Sequence, residues 1–275
     1  MSGTEARNPR SASLASFSTR QILMLMNDED AGVPAAVRAA LADIELATEA
    51  VVEAFARGGR LRYVGAGTSG RLGVLDASEA PPTFGVPPEL VRGLIAGGDD
   101  ALRSAIEGAE DDAGAGARDA REAVRAGDVV VGISASGRAR YVIAALAMAR
   151  EIGARTAALT CDRASPLAGG ADIVIAVDVG PEILAGSSRL KAGTATKLVL
   201  NMISTAAMIR SGRTRGDLMV DLRATNTKLR ARAVRMVREV TGLDDTAATA
   251  RLEAHGWSVR AALEEKTDPP RASGA

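Results

Sequence analysis

The sequence predicts an α/β protein: a parallel sheet of five strands covered by helices on both faces. Three observations carry this prediction. Five short runs are rich in aliphatic and β-branched residues, helical stretches separate most of them, and glycine- and hydroxyl-rich loops follow three of them.

Along the chain, residues 1–18 are polar, contain Pro9 and five serines, and show no periodicity, so they form either a disordered arm or an extended strap. A short amphipathic helix is expected from Thr19 to Asn27. Val33 to Arg57 reads as one long helix, because Val37, Leu41, Ile44, Val51, Val52 and Phe55 recur near the helical period and Gly58-Gly59 stops it. The β-rich runs are Leu61–Gly65, Leu90–Ala96, Asp128–Ser134, Arg155–Thr160 and Asp172–Val177. Helices are expected at Ser69–Ala77, Asp99–Glu110, Asp112–Arg125, Arg138–Ile152 and Ser165–Gly169. Beyond the last strand the chain turns helical, at Lys191–Arg210, Asn226–Thr241, Asp245–Ala254 and Ser258–Glu265. The end, TDPPRASGA, reads as disordered. The expected division is an N-terminal arm with helices over 1–57, the sheet domain over 58–215, and a helical C-terminal extension over 216–275. His255 and Trp257 are expected to pack within that extension.

Composition narrows the chemistry. Basic and acidic residues number 34 each, and aromatics make up 2%, which argues against a nucleic-acid partner. A single cysteine, Cys161, allows no internal disulfide, and with a single histidine it cannot close a zinc site. Catalysis is left to carboxylates, hydroxyls, lysine or arginine, and backbone amides. The opening MSGTEARNPR has no apolar signal segment, and no apolar run approaches the roughly 20 residues of a membrane-spanning helix, so a cytoplasmic protein with no membrane partner is expected.

In parallel sheets ligands bind beyond the carboxyl ends of the strands. Three loops fall there: 65–71 (GAGTSGR), 134–138 (SASGR) and 186–194 (GSSRLKAGT). Glycine lets amides approach an anion, hydroxyls donate hydrogen bonds, and a helix N-terminus adds a favourable dipole. Together the three loops point to a small phosphorylated ligand, with Gly67, Thr68, Ser69, Ser134, Ser136, Gly137, Arg138, Ser187 and Ser188 as its contacts. The first loop also satisfies G-x-G-x-x-G. However, the second strand closes on Ala96-Gly97-Gly98, with no acid to hold a nucleotide ribose, so nicotinamide binding is disfavoured. Two acidic strings stand out. Glu79 lies in DASEAPP, expected to end a helix before the double proline, and Glu110 lies in EGAEDD; by themselves both read as ordinary solvated carboxylates sooner than as catalytic ones.

Several long strings then match in order: TEARNP, STRQILMLMNDED, VGAGTSGRLGVLDASEAPPTFG, GLIAGG, EGAEDD, DVVVGISASGR, GSSRLKAGTATKLVLNMIST and GDLMVDLRATNTKL. From about Thr4 to Leu243 the chain resembles the N-acetylmuramic acid 6-phosphate etherases. These form the bacterial branch of the sugar-isomerase (SIS) family that also includes the glucokinase regulatory protein. The resemblance implies a three-layer, flavodoxin-like SIS fold, a homodimer and no cofactor. It implies cleavage of a lactyl ether on a sugar phosphate during cell-wall recycling, with Glu79 as acid/base group and Glu110 as the second essential glutamate. The alternative is a non-catalytic sugar-phosphate-binding regulator, which has no evident need of both carboxylates. The chain departs from the family pattern at Ala139, where the phosphate loop has threonine, at Arg140 for proline, and at Asp162-Arg163 after the cysteine. The region between Gly242 and Arg251 is also shortened.

One further candidate comes from the lysines. The chain has 30 arginines and four lysines, and three of the lysines (Lys191, Lys197, Lys228) fall between 191 and 228. A compact ammonium beside Ser187 and Ser188, in a chain that otherwise uses arginine, makes Lys191 a candidate ligand-binding residue.

Overall fold

A computed structural model of the chain describes residues 4, 6–222, 224 and 226–265. They divide into two compact units: Met1–Ser78 with Pro88–Ala207, and Glu79–Pro87 with Met208–Ala275.

The first unit is built on five parallel strands, β1 (Leu61–Gly65), β2 (Val91–Ile95), β3 (Val129–Ile133), β4 (Arg155–Thr160) and β5 (Ile173–Ala176), in the order β2-β1-β3-β4-β5. This is the flavodoxin-like winding, whose strand order reverses beside β1. The register runs Gly65 beside both Ile95 and Ile133, and Ile133 beside Leu159, so the strand ends align along one carboxyl edge. β1 and β3 are buried throughout, as strands covered on both faces must be.

Side chains alternate between two helical layers. Val64, Val130 and Ala158 pack with Ala120 and Val124 of α5 (Ala113–Ala123) and with Tyr141, Val142, Ala145 and Leu146 of α6 (Arg140–Ile152). The opposite face meets α3 (Leu41–Ala56) and α4 (Gly67–Phe84). Missing side chains permit this closeness. A Cβ on Gly73 of α4 would lie 2.9 Å from the Tyr63 Cβ, and one on Gly70 would lie 2.7 Å from the Gly65 carbonyl oxygen. Gly65 and Gly70 of the first loop therefore serve helix–strand packing. On the same face the Asp76 carboxylate of α4 is buried. It accepts hydrogen bonds from the Tyr63 hydroxyl (2.9 Å), Asn201 Nδ2 (2.7 Å) and the Ser204 hydroxyl (3.1 Å), tying β1 and α4 to α8 (Lys191–Arg210). Burial and the adjacent Asp76 push the Tyr63 phenol well above its ordinary range.

Three expectations change, and one open alternative is decided. The segment 33–57 is two helices, α2 (Val33–Ala39) and α3, because the Ala40 amide turns back to Val37 and the chain bends there; Val37, Ile44 and Val51 are thereby all buried. No α-helix forms over 99–110. Only short 3-10 turns occur at Asp99–Leu102 and Ala109–Asp111, because Ala101 alone is fully buried there and the segment has no apolar face to pack. α4 does not stop before Pro81-Pro82 but runs through them to Phe84. An interior proline costs about 3 kcal/mol, and here burial of Ala77, Ala80 and Phe84 on the same helix opposes that cost. The N-terminal segment, where described, is tied down: Asn8 is buried and its side chain donates to Glu29 on α1 (Thr19–Asp30) and to the Pro181 carbonyl.

The second unit contains α9 (Thr227–Thr241), α10 (Asp245–Ala254) and α11 (Val259–Glu264), packed through Ala233, Met236, Val237, Ala248, Leu252, Val259 and Ala262. Trp257 packs against this cluster beneath the Arg230 guanidinium, and His255 Nε2 lies 3.0 Å from Glu265. The tail expected to be disordered, 267–275, lies outside the described residues. Among the described residues, no helix is long and apolar enough to cross a membrane.

Candidate active site

A cavity of about 250 Å³ opens at the carboxyl edge of the sheet, between the ends of β1 and β3. Its walls are Ala66, Gly67, Thr68 and Ser69 from the start of α4, Ser134, Ala135, Ser136 and Ala139 after β3, Gly186 and Ser188 before α8, and Glu110. All three loops of the sequence reading thus meet in one place.

The β3 loop owes its shape to backbone hydrogen bonds. The Ser134 amide bonds Leu159 across the sheet, and the Gly137 amide returns to the Ser134 carbonyl at 2.9 Å, closing a turn. The Ala135 carbonyl accepts from the Cys161 amide, and the Gly137 carbonyl accepts from the Leu167 amide. Gly137 has φ 65°, and a Cβ there would sit 2.1 Å from the Ser165 Oγ, so only glycine fits. Two pulls of opposite kind result: the carbonyls are engaged by β4 and the segment after it, while hydroxyls face the cavity. Among the described residues, Thr68, Ser69, Ser134 and Ser188 make no intramolecular side-chain hydrogen bond, so four hydroxyl donors are free for a ligand. The N-terminal amides of the long helix α4 add positive potential at the same wall. Such a set of neutral donors, with one carboxylate at the rim, fits an oxyanion attached to a body that Glu110 can reach.

Of the sequence-predicted contacts, Gly67, Thr68, Ser69, Ser134, Ser136 and Ser188 line the cavity, with Glu110. Ala139 lines it too, so the missing threonine hydroxyl is missing from the wall itself. Gly137 lies behind the wall and shapes it. Arg138 is exposed and its nearest charge is Asp162, 3.8 Å away, and Ser187 is not in the lining. Lys191 is a correction. Its side chain is 6% exposed and its ammonium lies 2.7 Å from Glu29, so it is committed to an ion pair rather than presented to the cavity. Glu79 is exposed on α4, in the segment assigned to the second unit. Burial pushes the Cys161 thiol up to about 12, the behaviour of an inert core cysteine.

Sequence reasoning missed two acids. Glu182, fully buried, accepts from the Lys191 amide (3.1 Å) and the Ala192 amide (2.9 Å), capping the start of α8. Burial raises its pKa, and those amides and the Lys191 charge counter part of the rise. Glu29 is the other. No local pattern singled out Glu182, whereas Glu29 lies in the matching string STRQILMLMNDED and its partner Asn8 in TEARNP.

Residues 43–150 match the Glucokinase regulatory protein N-terminal SIS domain, and residues 111–206 match the SIS domain. Solved structures of the same fold include a phosphoheptose isomerase from Francisella tularensis (TM-score 0.55, 18% identity, 70% of this chain and 98% of that one). Another is the phosphoheptose isomerase from Neisseria gonorrhoeae (TM-score 0.53, 21% identity, 69% and 98%). The five-stranded winding and the two family matches are those of a SIS-domain protein. Within that class two relatives are much closer in sequence. The N-acetylmuramic acid 6-phosphate etherase of Symbiobacterium thermophilum is 53% identical over 94% of this chain and 87% of its own length, and that of Brucella anthropi is 58% identical over 87% and 78%. The chain belongs to the N-acetylmuramic acid 6-phosphate etherase family of enzymes.

Proposed function

We propose that the protein cleaves the D-lactyl ether of N-acetylmuramic acid 6-phosphate, yielding N-acetylglucosamine 6-phosphate and D-lactate without a cofactor, in recycling of cell-wall amino sugars. The observation that carries this reading is the cavity in which four unpaired hydroxyls and Glu110 converge. The phosphate occupies the hydroxyl wall, which orients the rest of the sugar from a non-reacting group. In the ring-opened sugar the aldehyde acidifies the proton on carbon 2. Glu110 takes that proton, the carbon 3–oxygen bond breaks as a carbon 2–carbon 3 double bond forms, and the departing lactate oxygen takes a proton from a general acid, the role that the family resemblance gives to Glu79. Water then adds at carbon 3 while a proton returns to carbon 2. Positioned acid and base groups each contribute about 10²–10⁴-fold.

We further propose a cytoplasmic homodimer. The exposed apolar side chains Leu23 and Met24 of α1 and Leu46 of α3 support a protein partner, and analytical ultracentrifugation at micromolar concentration tests it by the mass of the species.

The direct test is incubation with N-acetylmuramic acid 6-phosphate and assay of D-lactate. Release of lactate, with heavy-oxygen water labelling carbon 3 of the sugar product, supports elimination followed by hydration. Binding of the sugar phosphate with no lactate released would replace this reading with that of a regulatory binder.

A further inference from the structure

The connection between β5 and α8 delivers Gly186 and Ser188 to the cavity without any regular secondary structure of its own. Connections of this length are mobile unless something holds them. Here the holding groups come largely from the other end of the chain. Asn8 donates to the Pro181 carbonyl (3.2 Å) where the connection begins, and the Gly186 amide donates to the Thr4 carbonyl (3.3 Å) in its middle. At its end the Lys191 ammonium meets Glu29 Oε2 at 2.7 Å. The same Glu29 oxygen accepts from Asn8 Nδ2 (2.9 Å), and its other oxygen accepts from Arg10 Nη1 (3.0 Å). Glu182 closes the connection on itself by bonding the amides of Lys191 and Ala192.

Asn8 therefore grips both the start of the connection and the acid that anchors its end. A buried ion pair contributes little net stability, because desolvation of both charges cancels most of their attraction; what it supplies is a definite geometry. In this case the geometry is the position of the first residue of α8 and, three residues before it, Ser188.

We infer that Glu29, gripped by Asn8 and Arg10 and paired with Lys191, is a positioning group that sets Ser188 and Gly186 against the phosphate, making the N-terminal arm a determinant of selectivity for phosphorylated sugars. This rests on the proposed phosphate cavity. Glu29, Asn8 and Lys191 act through the loop and do not themselves touch the ligand.

The test uses the full chain with Asn8→Ala, Glu29→Gln, the double variant Glu29→Gln/Lys191→Met, and Ser188→Ala as a benchmark. Binding of N-acetylglucosamine 6-phosphate and of unphosphorylated N-acetylglucosamine is measured by calorimetry, and kcat and KM come from D-lactate release. Asn8→Ala removes both hydrogen bonds donated by the Asn8 side-chain amide, so affinity for the phosphorylated sugar and KM should worsen by about 3- to 10-fold while kcat changes by less than about twofold. Glu29→Gln strands the buried Lys191 charge and should lose more, and the double variant should recover part of that loss. Binding of the unphosphorylated sugar should not change.

A purely structural role would lower the urea midpoint without separating the two sugars, and that result overturns the inference. So does wild-type affinity in Asn8→Ala alongside a loss in Ser188→Ala. Should Glu29→Gln fail to fold, Asn8→Ala alone carries the test. If Ser188→Ala also leaves phosphate affinity unchanged, the cavity reading itself fails and takes this inference with it.

Discussion

Replacing Gly137 by alanine tests whether the hydroxyl wall depends on the turn behind it. Two costs are separable. The backbone at φ 65° is left-handed, which costs a residue with a Cβ about 1–2 kcal/mol. The added methyl would also lie 2.1 Å from the Ser165 Oγ, 2.3 Å from its Cβ and 3.0 Å from the Thr160 Oγ1. Ser165 is buried and its hydroxyl caps α7 (Pro166–Gly169), so it cannot simply swing away; overpacking of this kind costs about 1–3 kcal/mol. The sum is about 2–5 kcal/mol, which in urea unfolding followed by circular dichroism is a clear shift of midpoint. Gly127 provides the control. It has φ 84° with nothing within 4 Å of a Cβ, so Gly127→Ala should show the backbone cost alone, about 1–2 kcal/mol. Adding Ser165→Gly to Gly137→Ala removes the clash, so the double variant should be more stable than the two single effects predict, by about 1–3 kcal/mol. Phosphate affinity should fall at least tenfold in Gly137→Ala, because the Gly137 amide closes the turn onto Ser134. Equal losses at Gly137 and Gly127, or strict additivity with Ser165→Gly, would refute the steric argument; a loss of stability with phosphate affinity intact would refute the link to the cavity.

Three other predictions concern the site and its supports. Glu110→Gln and Glu79→Gln should each slow D-lactate release by at least about 10²-fold while N-acetylglucosamine 6-phosphate still binds, as measured by calorimetry. Ala139→Thr returns a hydroxyl to the cavity wall, and one added hydrogen bond of about 0.5–1.5 kcal/mol should tighten phosphate binding by about 3- to 10-fold. The third is a pH effect. Burial pushes the Glu29 carboxylate up, but the hydrogen bond and charge of Lys191, with Asn8 and Arg10, outweigh it and hold the group below its ordinary value of 4.5. A depressed carboxylate stabilises the fold fully above its unfolded value and loses that contribution as pH falls through its folded value. Urea midpoints should therefore drop as pH goes below about 4.5, and Lys191→Met, which removes the cause of the depression, should flatten that part of the curve.

Much of the sheet domain was legible residue by residue. Leu61–Gly65, Arg155–Thr160 and Lys191–Arg210 appear in the structure with the bounds expected of them, because each is an unbroken run whose ends are marked locally by glycine, charge or proline-free helical pattern. The cavity was legible as well, since hydroxyls and glycines following parallel strands can only gather at the carboxyl edge. Where reading failed, the deciding quantity was not local. Asp99–Glu110 has helical composition but no buried face, and Pro81-Pro82 is a break on propensity alone that burial of Ala80 and Phe84 opposes.

Lys191 shows the division most clearly. Its scarcity among arginines singled it out, and that signal was real, but its chemistry depended on what lay opposite. Composition and spacing by themselves determined the α/β class, the place of each strand to within a residue at either end, the three anion-suited loops and the glutamates in their strings, because these follow from properties of neighbouring residues. Only the tertiary structure decided that Ser188 rather than Ser187 lines the cavity, that Gly137 shapes the wall without joining it, and that Lys191 answers Glu29, 162 residues away. The physical reason is that hydrogen bonding and ion pairing act over a few ångströms of space, and only the folded chain brings such distant residues within that range.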